Sequence, residues 1–242
     1  MNKFALITGG TKGIGKAVAE VLADANYNLI LTYGNDDETA AKVQNEFKNR
    51  FKSDIFFIKA DITQEDAITI IDKFLTEKNI QVNSLIFNAA ITARTPFEEI
   101  TQKEWEQVFY ANVHFPVFLL QKIISKIETG GNVLFTGSLM GIYPHSLSLS
   151  YGVTKSAVHS LVKNLVKYLA PYKIRINAIA PGFIDTEWHN TKSPELRKSI
   201  ESKIAVERFC DPLELANIYK TTIENGYLNG EIITVSGGYS YK

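Results

Sequence analysis

Short apolar or β-branched runs recur at residues 4–8, 28–33, 55–60, 84–88, 132–137, 174–180 and 231–235, and the segments between them carry apolar residues at helical spacing. The runs are continuously apolar rather than alternating, as expected for strands buried on both faces. Most of the intervening segments are long enough for a crossover helix, which implies parallel pairing. The pattern predicts an α/β fold: a single doubly wound (Rossmann-type) sheet of about seven parallel strands with helices on both faces. No linker, low-complexity tract or short-period repeat divides residues 1–242, so they are read as one domain. The exception to the regularity is the polar stretch 185–211, interrupted by Pro194 and closed by the following Pro212, which is expected to form a mobile substrate flap.

Composition narrows the partners. With 26 basic and 26 acidic side chains the net charge is zero, so no global field recruits nucleic acid or an anionic membrane. Met1-Asn2-Lys3 runs straight into the short apolar stretch Phe4 to Ile7, without a signal-peptide core, and no run approaches the ~18 apolar residues of a membrane span. A cytoplasmic chain is expected. The only cysteine, Cys210, cannot form an internal disulfide and reads as a small core residue.

The first strand ends in Thr8-Gly9-Gly10-Thr11-Lys12-Gly13-Ile14-Gly15, followed by a helical pattern with Val18, Val21, Leu22 and Ala25 on one face. A strand, a glycine turn and a helix N-terminus make a pyrophosphate site, since glycines permit close backbone approach and the free amides face the anion. The spacing is Gly-x-x-x-Gly-x-Gly rather than Gly-x-Gly-x-x-Gly. At the end of the second strand, where NAD-specific sites place a carboxylate for the ribose hydroxyls, the chain reads Leu31-Thr32-Tyr33-Gly34-Asn35. Asp36 and Asp37 follow and read as the first turn of the next helix. Lys12 supplies a positive charge suited to a 2′-phosphate, so NADP(H) is favoured over NAD(H).

Tyr151 and Lys155 stand four apart in a stretch whose Val153, Ala157, Val158, Leu161, Val162 and Leu165 have helical spacing, so the two share a helix face. A free tyrosine titrates near 10, and acid–base work near neutrality asks for a shift of about three units, roughly 4 kcal/mol. An ammonium about 4 Å away at an effective dielectric of about 20 supplies that. Ser138, at the carboxyl end of the fifth strand, lies where ligands bind in open sheets and is also a turn residue. In the helical stretch 101–127, Asn112 falls within the apolar stripe, and Pro116 cannot donate to its carbonyl. A kink there frees the carbonyl for a relay water, or serves structure alone.

Taken in order, Thr8-Gly9-x-x-x-Gly13-x-Gly15, Asn88-Ala89, Asn112, Ser138, Tyr151-x-x-x-Lys155, Asn177 and Pro181-Gly182 resemble the short-chain dehydrogenase/reductase family over essentially the whole chain. The resemblance implies a catalytic tetrad of Asn112, Ser138, Tyr151 and Lys155. It implies cofactor contacts from Thr8, Gly9, Thr11, Lys12, Gly13, Ile14 and Gly15, from Asp61 and Ile62 at the adenine, and from Asn88 and Ala89. Tyr151, Lys155, Pro181, Gly182, Ile184 and Thr186 would meet the nicotinamide half. Residues 174–183 and 229–238 look most like 3-oxoacyl-[acyl-carrier-protein] reductases. Before the fifth and sixth strands, however, Lys173 is the one basic residue where carrier-protein users tend to have several, which counts against such docking. The family also implies a homotetramer joined through its two long helices. The four histidines show no metal-ligand spacing, and no catalytic metal is expected. The leading reading is NADPH-dependent reduction of a 3-oxoacyl thioester or related ketone. NAD(P)-dependent oxidation of a secondary alcohol and a non-catalytic dinucleotide sensor are the alternatives.

Overall fold

In a computed structural model, which describes residues 3–189 and 192–239, seven parallel strands form one sheet in the order β3-β2-β1-β4-β5-β6-β7. They are β1 (Phe4–Ile7), β2 (Asn28–Tyr33), β3 (Ile55–Lys59), β4 (Val82–Phe87), β5 (Ile127–Thr136), β6 (Arg175–Pro181) and β7 (Ile232–Val235). The helices are α1 (Gly13–Asp24), α2 (Asp37–Arg50), α3 (Asp66–Glu77), α4 (Gln102–Phe109), α5 (Phe115–Ile123), α6 (Leu149–Leu169), α7 (Pro194–Glu201) and α8 (Pro212–Glu224). Strand order reverses between β1 and β4, and the carboxyl ends of these strands open the crevice where open α/β sheets bind ligands.

The continuously apolar strands are explained by two cores, one on each face. Along β1, Leu6 packs with α3, α5 and α6, whereas Ala5 and Ile7 face α1, α2 and α8; Ile30 and its neighbours Leu29 and Leu31 divide in the same way along β2. Strand boundaries match the sequence pattern closely except at β5. It begins at Ile127, five residues before the apolar run, because Val82 pairs with Ile127 ahead of a register shift.

Residues 102–126 form one helical rod, long and apolar enough by length and composition to cross a membrane. In this fold it is a core element: Val108, Ala111, Phe115, Leu119, Leu120 and Ile123 are buried. The kink expected near Pro116 takes the form of a π-helical turn, Tyr110–His114. The stretch 185–211 is less irregular than its polarity suggests. It contains α7 and a small core of its own, in which Ile200, Ile204 and Phe209 pack against Phe183 and Tyr239. Residues 190 and 191 of that stretch, like Met1 and Asn2, lie outside the described residues.

Candidate active site

The glycine turn joins β1 to α1, and its shape is set by contacts that admit no side chain. Gly9 has φ +65° and Gly13 φ +49°. A Cβ on Gly15 would stand 2.1 Å from the Gly9 carbonyl oxygen and 2.5 Å from Asn88 Nδ2. The turn is then tied to the end of β4. Asn88 Nδ2 donates to the carbonyls of Thr8 (3.1 Å) and Gly9 (3.2 Å), while Thr8 Oγ1 accepts from the backbone N–H groups of Asn88 (3.0 Å) and Ala89 (3.1 Å). Thr8, Thr11 and Gly15 are buried behind the turn and shape it; Gly9, Lys12, Gly13 and Ile14 form the exposed wall. A cradle that a single methyl group would fill suits close approach of a pyrophosphate to backbone amides.

Beyond the turn lies a cavity of about 590 Å³. Asp61, Ile62, Asn88 and Ala89 line one end, and Ser138, Tyr151, Lys155, Pro181, Gly182, Ile184 and Thr186 line the other. Asp61 also holds its own turn, accepting from Thr63 N–H (2.9 Å) and from Asn35 Nδ2 (2.9 Å). One expectation needs correction. Lys12 is not a free cation awaiting a phosphate: its ammonium donates to Asp36, the N-cap of α2, whose carboxylate is thereby held down at about 2. The acidic pair read as helix start is indeed that, and it neutralises the lysine across the mouth of the adenosine end.

At the chemical end, Ser148 caps α6, accepting from Tyr151 N–H, and the helix presents Tyr151 and Lys155 to the carboxyl edge of the sheet. Lys155 is 3% exposed; its ammonium donates to the Thr136 carbonyl at 2.6 Å and lies 5.4 Å from the centre of the Tyr151 ring. The expectation that Lys155 supplies most of the lowering of Tyr151 meets an opposing contribution here. Burial dominates both groups, pushing the tyrosine up to about 12 and the lysine down to about 8, and only the Ser138 hydroxyl pulls Tyr151 back. The ammonium is turned toward a backbone carbonyl instead of the phenol oxygen.

Ser138 is both a site residue and a turn residue. Its hydroxyl accepts from Met140 N–H at 3.1 Å, capping the short turn Leu139–Gly141. Behind it sits a residue the sequence did not single out. His159 Nε2 accepts from Ser138 N–H at 3.4 Å, and burial together with Lys155 drives its pKa down to about 4, so the ring is neutral. Gly137 and Gly141 leave room for it, since a Cβ on Gly137 would meet Nε2 at 2.3 Å. The one available clue was its place eight residues past Tyr151 on the same helix. Asn112 is 3% exposed and does not line the cavity. Its amide is fully engaged, accepting from Ile91 N–H (2.9 Å) and donating to Ile91 O (2.9 Å) and Thr154 Oγ1 (3.0 Å). It pins the β4–α4 loop to α6.

Among the described residues, no three His, Cys, Asp or Glu side chains gather as a metal-binding set. Cys210 is partly buried against the second core and its thiol is pushed up by burial, as befits a packing residue.

The family model described as short chain dehydrogenase matches residues 3–197. The chain belongs to this family. It is thus an oxidoreductase with a nicotinamide-dinucleotide fold. It is 30% identical to an uncharacterised oxidoreductase, YmfI, of Bacillus subtilis, covering 99% of each chain. It is also 30% identical to the 3-oxoacyl-[acyl-carrier-protein] reductase FabG of Aquifex aeolicus, covering 98% of this chain and 96% of the other. Among solved structures it resembles BdcA in complex with NADPH, with 26% identity, a TM-score of 0.85 and coverage of 97% and 93%.

Proposed function

We propose that this short-chain dehydrogenase reduces a 3-oxoacyl thioester or related ketone with NADPH. The observation that carries the reading is the convergence of Ser138, Tyr151 and Lys155 on one wall of a cavity whose other end is the glycine cradle. When bound, the reduced nicotinamide supplies the hydride. Tyr151 gives the proton that completes the alcohol, and Ser138, already within hydrogen-bonding reach of the phenol, orients the carbonyl oxygen between them. Lys155 holds the ribose hydroxyls, and its charge in the occupied site favours the phenolate that remains. Asn112, its amide saturated, serves a proton path only through its main-chain carbonyl in the π-helical turn; its side chain fixes the loop beside Ser148.

NADPH is favoured by the absence of a carboxylate at the tip of β2 and by Lys12 on the cavity wall. The Lys12–Asp36 pair is the specific observation on the side of the alternative, an NAD(H)-dependent alcohol dehydrogenase, because a 2′-phosphate must compete with Asp36 for the same ammonium. The test is initial rates of NADPH and NADH oxidation with acetoacetyl-N-acetylcysteamine, run beside Asp36→Asn. Turnover with NADPH, with its KM lowered about 3- to 10-fold in Asp36→Asn and that for NADH unchanged, is the expected outcome. Faster turnover with NADH by the native chain, unaltered by the substitution, would reverse the cofactor assignment.

A further inference from the structure

The substrate end of the cavity carries more positive charge than the reduction of a neutral ketone explains. Arg94, on the loop after β4, and Lys192, beyond the turn Glu187–His189, both line it, and neither side chain makes an ion pair or hydrogen bond among the described residues; the Lys192 backbone N–H donates to the His189 carbonyl at 3.1 Å. The other cations of the wall are engaged, Lys12 with Asp36 and Lys155 with Thr136. Neither carboxylate of the wall pairs with these two cations among the described residues: Asp61 accepts from Asn35 and Thr63, and Glu187 lies 3.9 Å from the Cβ position of Gly13, beside the phosphate cradle. Asp185, outside the cavity lining, is taken up bidentately by Arg197 at 2.8 Å on both oxygens.

The two imidazoles beside these cations are uncharged. His145 Nδ1 accepts from Leu147 N–H at 3.0 Å, and burial followed by Lys192 lowers its pKa. His189 is driven down to about 4 by burial and then by Lys192, and its Nδ1 is buried with no hydrogen-bond partner among the described residues. Lys192 itself is depressed by burial and by Arg94, so the two cations share one partly desolvated space and repel each other there. The loop that carries Arg94 is on the substrate side: Thr92 Oγ1 bonds Ser148 Oγ at 3.0 Å, against the cap of the helix that carries Tyr151, and Lys192 shares the cavity wall with Arg94.

We infer that the substrate carries an oxyanion, a carboxylate or a phosphate, seated between Arg94 and Lys192 at the mouth of the cavity. This rests on the reductase reading for the identity of the site, not for its charge. A guanidinium and an ammonium left without carboxylates gain charge-assisted hydrogen bonds from such a group, and it relieves their mutual repulsion. The orphaned His189 nitrogen offers a further contact.

The first measurement is independent of turnover. Malonate and inorganic phosphate are titrated into the NADPH-loaded protein, following tryptophan fluorescence, since Trp188 lies in the cavity wall. A saturable response weakened about 10-fold or more in Arg94→Ala/Lys192→Ala is expected. No response, or one the double variant leaves unchanged, overturns the inference whatever the enzyme reduces. The second compares kcat/KM for acetoacetate against methyl acetoacetate, and for acetoacetyl-phosphopantetheine against acetoacetyl-pantetheine. The pair in which the anionic member is preferred by about 10-fold, with that preference falling toward parity in the double variant through KM, identifies carboxylate or phosphate. Equal rates within both pairs refute the inference and leave the reductase reading standing. Failure to reduce any of the four while malonate or phosphate still binds refutes the substrate class and leaves the anion site standing. A double variant that weakens NADPH binding by the same factor would assign the cations to the cofactor and overturn the inference.

Discussion

Tyr151→Phe is expected to cut kcat for ketone reduction by about 10²- to 10⁴-fold while NADPH binding stays within about two-fold, because the phenol oxygen is the proton donor and the ring remains to fill its place. Lys155→Met should match that loss of rate and add a loss of cofactor affinity. The two variants then separate in stability. Lys155 is an ammonium buried at 3% exposure with one carbonyl partner, and burial lowers its pKa from the ordinary 10.5 to about 8. The folded, cofactor-free protein therefore binds fewer protons than the unfolded chain between about pH 8 and 10.5, so this group makes stability rise with pH across that window. Below the window both states are protonated and the folded state bears the full desolvation cost.

Lys155→Met removes that cost, and the Tm of the cofactor-free protein should rise by a few degrees near pH 7, the gain shrinking as pH approaches the upper end of the window. The unbonded Thr136 carbonyl offsets part of it. Calorimetry on the cofactor-free proteins at neutral and alkaline pH decides the matter. A Tm that falls at both pH values would mean that the lysine holds the site together more than it strains it. Strain of this kind belongs to a residue kept for chemistry rather than for folding.

The parts of this site that were legible in the sequence are those whose chemistry is written within a few residues. Tyr151 and Lys155 share a helix face by their spacing alone, and the glycines of 9–15 announce a turn that only backbone fits. The seven strands were legible because burial on both faces removes the polar alternation that would otherwise blur them. What escaped depends on how distant segments meet. The Lys12–Asp36 pair joins a loop to the cap of a helix 24 residues later, and it sets a carboxylate in competition with a 2′-phosphate for the same ammonium. The direction in which Lys155 points is set by the Thr136 carbonyl at the end of β5, which no four-residue spacing on α6 announces. Arg94 and Lys192 belong to no motif, and only the fold brings the β4–α4 loop opposite the segment after β6.

Gly15→Ala is expected to weaken NADPH binding by about 10- to 100-fold, although it adds one methyl group on a helix where alanine is otherwise the better residue. The methyl carbon would enter the space of the Gly9 carbonyl at 2.1 Å and of Asn88 Nδ2 at 2.5 Å. Backbone cannot swing aside as a flexible side chain would, so α1 must shift away from the turn or the turn must open. Either movement breaks the bonds by which Asn88 holds the carbonyls of Thr8 and Gly9, and with them the alignment of amides that would meet the pyrophosphate. Overpacking of this kind costs about 1–3 kcal/mol in the cofactor-free protein, a Tm loss of several degrees. Gly130→Ala is the control: that glycine lies near the start of β5 at φ +86°, nothing stands within 4 Å of its Cβ position, and it is at the end of the strand opposite the cradle. It should lose some stability to its left-handed backbone and bind NADPH as the native chain does. Fluorescence titration of NADPH into the three proteins gives the answer: equal affinities would show that the turn tolerates a side chain and that its glycines serve only the backbone bend.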